Sequence, residues 1–302
     1  MSEFLEAEQL MPTHRTNDEK TQYTPPKSKE YSPKEVEVIN WIKQNKKTPS
    51  EIFEKLIKSK RVILVGESHL NEHEPIRDAV AASLLELQEN GLTHVALEMD
   101  SRKQAHIDSL NYSLPNIRKD LEKIAPAGWG DGNIDILIMA KQLGLKVLLI
   151  NYDDDRPDLK KNDAHYQNRR DEHMTDIITS SMDQNSKCLV FIGSRHVHKS
   201  IVEKERVISE KGKHLGVKRL GARLSEYFGN QNIASIRALN RTSNFDGLLG
   251  FMSNTPTVED VSRRGIGEVV VLPDGGPIKG DSRVTDSDFV ITTIDIPKIR
   301  KK

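Results

Sequence analysis

Two apolar stretches of the chain end in the same four-residue pattern. Leu64-Val65 runs into Gly66-Glu67-Ser68-His69, and Phe191-Ile192 runs into Gly193-Ser194-Arg195-His196. Glycine lets a backbone turn sharply and approach a neighbour closely. A histidine three residues later projects from that turn, where an imidazole binds a metal or moves a proton. A third apolar stretch, Val95 to Met99, carries Glu98 in its interior. A buried carboxylate is costly unless it is paired or coordinated. His69, His196, Glu67 and Glu98 together form a donor set for a divalent metal with positions left open for water; zinc, manganese, iron and cobalt all suit it. Arg170, where a helical segment opens, is the expected counter-charge, since a guanidinium forks onto a carboxylate or a developing oxyanion. The chemistry this constellation suits is hydrolysis. A metal-bound water has its pKa lowered toward ~7. Glu67 or Glu98 then serves as general base, and Arg170 stabilises the tetrahedral intermediate.

Further residues are candidates for substrate contact. His73 follows His69 by four positions and His198 follows His196 by two. Trp129 lies in the glycine-rich loop Ala127 to Gly132. His173 lies three residues after Arg170, on the same helical segment. Asp153-Asp154-Asp155 reads as a solvated acidic turn, and Cys188 as an inert residue at the start of a buried strand.

The elements that must position these groups are legible from periodicity. Ser32-Pro33-Lys34-Glu35 and Thr48-Pro49-Ser50-Glu51 are helix starts, each followed by apolar residues at helical spacing. Continuous apolar runs at about 61–66, 94–99, 146–150, 188–193 and 232–236 read as strands buried on both faces. Helical patterns separate them, at about 75–88, 101–110, 115–124, 135–143, 165–182 and 217–228. Strands alternating with helices predict an α/β fold: a mostly parallel central sheet with helices on both faces. In such sheets ligands bind beyond the carboxyl ends of the strands, where both Gly-x-x-His patterns fall. The organisation expected is a disordered polar tail over 1–31, where too little apolar surface exists to offset chain entropy; N-terminal helices over 32–60; an α/β catalytic domain over 61–240; and a small β-rich or looped C-terminal extension over 241–302.

Composition bounds the partners. The 302 residues carry 45 basic and 45 acidic side chains. That balance lacks the basic excess of a protein built to grip nucleic acid. The single cysteine excludes an internal disulfide. No run reaches the ~20 apolar residues of a membrane span, and the first residues lack a signal-peptide pattern. A small-molecule or peptide substrate is expected. The location expected is the cytoplasm, or outside the cell by a specialised route.

In the order Gly66-Glu67-Ser68-His69, Glu98, Arg170-Asp171-Glu172-His173-Met174 and Gly193-Ser194-Arg195-His196, the chain resembles the Tiki/TraB/ChaN/erythromycin-esterase superfamily over residues 60–240. Its Glu-x-His spacing is nearest to ChaN-like and TraB-like members. The resemblance implies an α/β fold and, among its members, several activities. Tiki-type proteins are metal-dependent peptidases, and the esterases open a macrolactone with an activated water. ChaN-type proteins bind haem, which makes a non-enzymatic haem or iron binder the alternative to a hydrolase. A bacterial effector or toxin-like module is a further alternative.

Overall fold

A computed structural model describes residues 33–67, 74–125, 131–152, 164–199, 201–202, 216–238, 268–273 and 288–294. The expected tail over 1–31, His69, His73, Trp129 and Asp153 to Asp155 lie outside the described residues.

Two helices lead into the sheet, α1 (Pro33–Asn45) and α2 (Pro49–Ser59). The second opens with a capping box: the Thr48 hydroxyl accepts from the Glu51 amide, and the Glu51 carboxylate accepts from the Thr48 amide at 2.7 Å. Strand β1 (Val62–Glu67) follows and is buried throughout. Next come α3 (Glu74–Glu89), β2 (His94–Asp100), the short helices α4 (Gln104–Ser109) and α5 (Ile117–Glu122), α6 (Asp131–Gln142) and β3 (Lys146–Asn151). Helix α7 (Ala164–Ser181) then leads to β4 (Cys188–Gly193). A small antiparallel pair, β5 (Ile201–Val202) and β6 (Val217–Lys218), precedes α8 (Leu220–Phe228) and β7 (Ile233–Ala238). Strands β8 (Glu268–Pro273) and β9 (Phe289–Ile294) close the order.

The central sheet has seven strands in the order β3-β2-β4-β1-β7-β9-β8. All neighbours pair in parallel except β8, which runs antiparallel to β9. Successive strand residues point to opposite faces, so each parallel strand feeds two cores. Ile63, Val65, Val95, Leu97, Leu149 and Phe191 pack with residues of α2, α3 and α6 on one face. Val62, Leu64, Ala96, Ile150 and Val190 pack with Met174 and Ile178 of α7 and Leu224 of α8 on the other. This is the expected α/β fold with helices on both faces.

The C-terminal strands β9 and β8 join this sheet. Strand β9 lies beside β7, pairing Ile236 with Phe289 and Ala238 with Ile291. Main-chain groups along the outer side of β7 need partners, and β9 supplies them. Each outer edge meets a local partner. Lys47, between α1 and α2, exchanges two backbone hydrogen bonds with Val271 of β8. At the opposite edge, the Gln104 side chain imitates a strand: its amide donates to the Val147 carbonyl at 3.0 Å, and its oxygen accepts from the Leu149 amide at 2.8 Å.

Candidate active site

The parallel pairing of β1 and β4 sets Gly66 opposite Ile192 and Glu67 opposite Gly193, so the described ends of the two strands lie side by side. The packing there explains the first glycine. A Cβ on Gly66 would lie 2.8 Å from the Ser194 Cα and 2.9 Å from a Val197 methyl. The second turn closes on itself, with the His196 amide donating to the Gly193 carbonyl at 2.9 Å. It is then held by α8. The Gly221 amide donates to the His196 carbonyl, and a Cβ on Gly221 would meet the Val197 and His198 carbonyl oxygens at 2.6 Å. His198 itself is half-buried against this helix start.

Glu98 enters from β2. The β2–β4 ladder ends at Leu97–Phe191, and the register with β3 shifts between Leu97 and Asp100. Such irregularities re-aim side chains at sheet ends. Here the Glu98 carboxylate takes over where the ladder stops: Oε2 accepts from the Gly193 amide at 2.5 Å. Its other oxygen, Oε1, accepts from Arg170 Nη2.

Arg170 joins three strands. Beyond Glu98 of β2, its Nε donates to Asn151 Oδ1 of β3 at 2.7 Å, and its Nη1 lies 3.3 Å from His196 Nε2 after β4. The side chain of Arg170 is 17% exposed, those of Glu98 and His196 only 8% and 6%, so the guanidinium is the part of the cluster turned outward.

The opposite side of the His196 ring faces α7. Its Nδ1 lies 2.5 Å from Asp171 Oδ1, and Asp171 is fully buried. Asp171 also accepts from the Leu220 amide at 3.0 Å and from Arg219 Nη1 at 3.3 Å. Burial opposes its charge, but His196, Arg219 and the Leu220 amide outweigh that cost and hold its pKa below the ordinary value. An ionised Asp171 is acceptor-only, so the contact places a proton on His196 Nδ1, and Nε2 is the ring nitrogen turned toward Arg170.

Of the residues singled out from sequence, His196, Glu98 and Arg170 meet in this cluster. Glu67 is adjacent but directed elsewhere: its carboxylate is fully buried against Arg77 of α3, with Nε at 2.8 Å and Nη2 at 2.6 Å. Among the described residues, no group of three His, Cys, Asp or Glu side chains is placed to hold a metal ion. The chemistry of the donors agrees. Glu67 and Glu98 each already neutralise a guanidinium, and His196 Nε2 faces a third cationic contact, Arg170 Nη1. The described donors therefore do not fit a divalent metal. Cys188, at the start of β4, is no nucleophile: burial pushes its thiol up to about 12.

Asp171, Asn151, Arg219 and Arg77 were not singled out from sequence. Asp171 stands next to Arg170 inside the Arg-Asp-x-x-Met pattern, which was its one available signal. The others are polar residues beside strands or helix starts, and spacing along the chain does not separate them from surface residues.

Solved structures share this architecture. A protein from Bacillus cereus superposes with a TM-score of 0.56 at 11% identity, covering 88% of this chain and 98% of that one. A succinoglycan biosynthesis protein superposes with a TM-score of 0.55 at 12% identity, covering 88% and 99%. ChaN of Campylobacter jejuni, a structure with cofacially bound haem, gives a TM-score of 0.40 at 15% identity over 82% and 93%. No family model matches the chain, and no curated protein matches it in sequence. At 11% and 12% identity, the likeness to the first two is one of fold: this chain has the same α/β architecture.

Proposed function

We propose that the protein hydrolyses an amide or ester bond by attack of a water that His196 activates. The observation that carries this reading is the Asp171–His196–Arg170 alignment, with 2.5 Å on one side of the imidazole and 3.3 Å on the other. Asp171 fixes the tautomer and stabilises the imidazolium that forms when Nε2 takes a proton. This is the usual division of labour between a base and the group that orients it.

Arg170 supplies the electrophilic side. Glu98 and Asn151 hold its guanidinium in one orientation, so its remaining N–H groups are preorganised for charge that develops on a carbonyl oxygen. A substrate carbonyl drawn to Arg170 displaces its contact with His196 and leaves the Nε2 lone pair to a water. The water oxygen bonds to the carbonyl carbon while its proton passes to Nε2, and the oxyanion rests on Arg170. Glu98 and Asp171 are positioning residues in this scheme. No step runs through a metal.

The test is hydrolysis of simple esters and peptides by the purified protein beside His196→Ala. Loss of activity in the variant, with its fold retained by circular dichroism, supports the reading; equal activity in both proteins overturns it.

A further inference from the structure

A second histidine shares a helix face with Arg170 and has no part in the scheme above. His173 lies one turn after Arg170 on α7, and side chains at that spacing share a helix face, roughly 5–6 Å apart at Cβ. Its Nε2 is 3.2 Å from Ser101 Oγ, and its ring packs on Tyr152 with centroids 4.8 Å apart. Both neighbours continue the strand ends that hold Arg170. Ser101 comes three residues after Glu98, and Tyr152 directly follows Asn151. The His173 ring therefore sits at the carboxyl ends of β2 and β3, beside residues that follow the two strand residues holding Arg170. His196 meets Arg170 from the β4 side, and His173 lies at the ends of β2 and β3.

The two rings differ in what surrounds them. His196 is buried and held by an ionised carboxylate, the setting of a base. His173 is half-buried, and among the described residues its ring nitrogen Nε2 meets the neutral Ser101 hydroxyl rather than a carboxylate. The geometry points to His173 as the proton donor to the leaving group, oriented by Ser101 and Tyr152. This rests on the hydrolase reading above and assigns that site its second proton-transfer group.

The step balances as follows. After water attack, the carbon–oxygen or carbon–nitrogen bond to the leaving group breaks and its electron pair stays on the leaving atom. His173 Nε2 delivers its proton to that atom. His196 releases the proton it took from water, and His173 regains one from solvent. The oxyanion re-forms the carbonyl, the acyl product leaves as a carboxylic acid that gives its remaining proton to solvent, and the leaving group departs as an alcohol or amine. Such an acid matters for poor leaving groups, such as alkoxides and amines, and matters little for a 4-nitrophenolate, which departs unprotonated.

The experiment compares an alkyl ester and a 4-nitrophenyl ester of the same acid, using wild-type protein, His173→Gln and Ser101→Ala. Glutamine keeps a hydrogen-bonding amide near Ser101 but delivers no proton. The expected result is a rise of about 10²-fold in the ratio of aryl to alkyl kcat for His173→Gln, with KM for the alkyl ester unchanged. Ser101→Ala shifts the ratio the same way by less. Thermal midpoints near wild type show that the variants fold. An unchanged ratio in His173→Gln, whether both rates fall together or neither falls, overturns the assignment of His173 while leaving His196 in place. Absence of wild-type hydrolysis of both esters overturns the hydrolase reading and this assignment with it.

Discussion

Asp171 Oδ1 and His196 Nδ1 lie 2.5 Å apart although the residues are separated by 25 positions. One stands in the first half of α7 and the other on the turn after β4. The contact turns the imidazole so that its free nitrogen faces Arg170. Asp171→Asn keeps the shape but lets the amide donate to Nδ1, which reverses the tautomer. The expected loss in kcat is about 10²–10⁴-fold, comparable to His196→Ala. Circular dichroism of both variants beside steady-state kinetics checks it; wild-type kcat in Asp171→Asn would remove Asp171 from the mechanism.

Acid stability should report the same group. Its folded pKa lies below that of the unfolded chain, ordinarily ~3.9. As pH falls, the unfolded state takes up the proton first, so stability declines. The contribution is complete above roughly pH 5 and is lost as pH drops through the depressed native value. Urea midpoints measured between neutral and strongly acid pH should fall more steeply for wild type than for Asp171→Asn. Parallel slopes would show that another carboxylate dominates.

Arg170 uses the fork of its guanidinium, with Nε on Asn151, Nη2 on Glu98 and Nη1 toward His196. Lysine keeps the charge but offers a single ammonium, so it does not reproduce this set. Arg170→Lys is expected to lower kcat by about 10²–10³-fold, the usual loss for an oxyanion donor. A kcat within a few-fold of wild type would assign oxyanion stabilisation to another group.

The Glu67–Arg77 pair should matter to stability. Both side chains are buried, at 1% and 0% exposure. Breaking a buried ion pair by removing one partner typically costs about 3–5 kcal/mol, whereas replacing both by apolar residues is far milder. Arg77→Met should therefore lower the unfolding midpoint sharply, and Glu67→Leu with Arg77→Met should recover much of it. If Glu67→Gln instead removed a bound metal without lowering stability, Glu67 would be a ligand. Elemental analysis of wild type and variant reads that outcome.

Gly221→Ala tests the join between the His196 turn and α8. The added methyl meets two carbonyl oxygens of the turn at 2.6 Å, so backbone has to move. Overpacking of this kind costs about 1–3 kcal/mol. It should also displace His196, lowering kcat more than Ala substitution at Gly144, where nothing lies within 4 Å of the new Cβ. Gly144 has φ of +72°, so that control carries a backbone penalty of its own in stability but not in kcat.

The sequence by itself determined the parallel core and much of the cluster. Continuous apolar runs such as Val62 to Val65 and Leu189 to Ile192, short, rich in β-branched residues and closed by glycine, read as strands covered on both faces. Helices must then lie between them, and glycines at strand ends place His196 at the carboxyl edge. Glu98 was legible as a carboxylate inside an apolar run and Arg170 as its counter-charge. The tertiary structure alone decided the partners. Glu67 and Glu98 look alike in sequence, each a carboxylate at the end of a buried strand. Glu67 meets Arg77 because α3 packs on the sheet face that Ile63 and Val65 of β1 share, and Glu98 meets Arg170 because α7 packs beside β3. The adjacency of β4 to both β1 and β2, and of β9 to β7, is likewise a matter of crossovers. Periodicity is a property of a short stretch of chain and carries its burial; which buried edge or charge it meets depends on how distant elements pack, and local spacing holds no record of that.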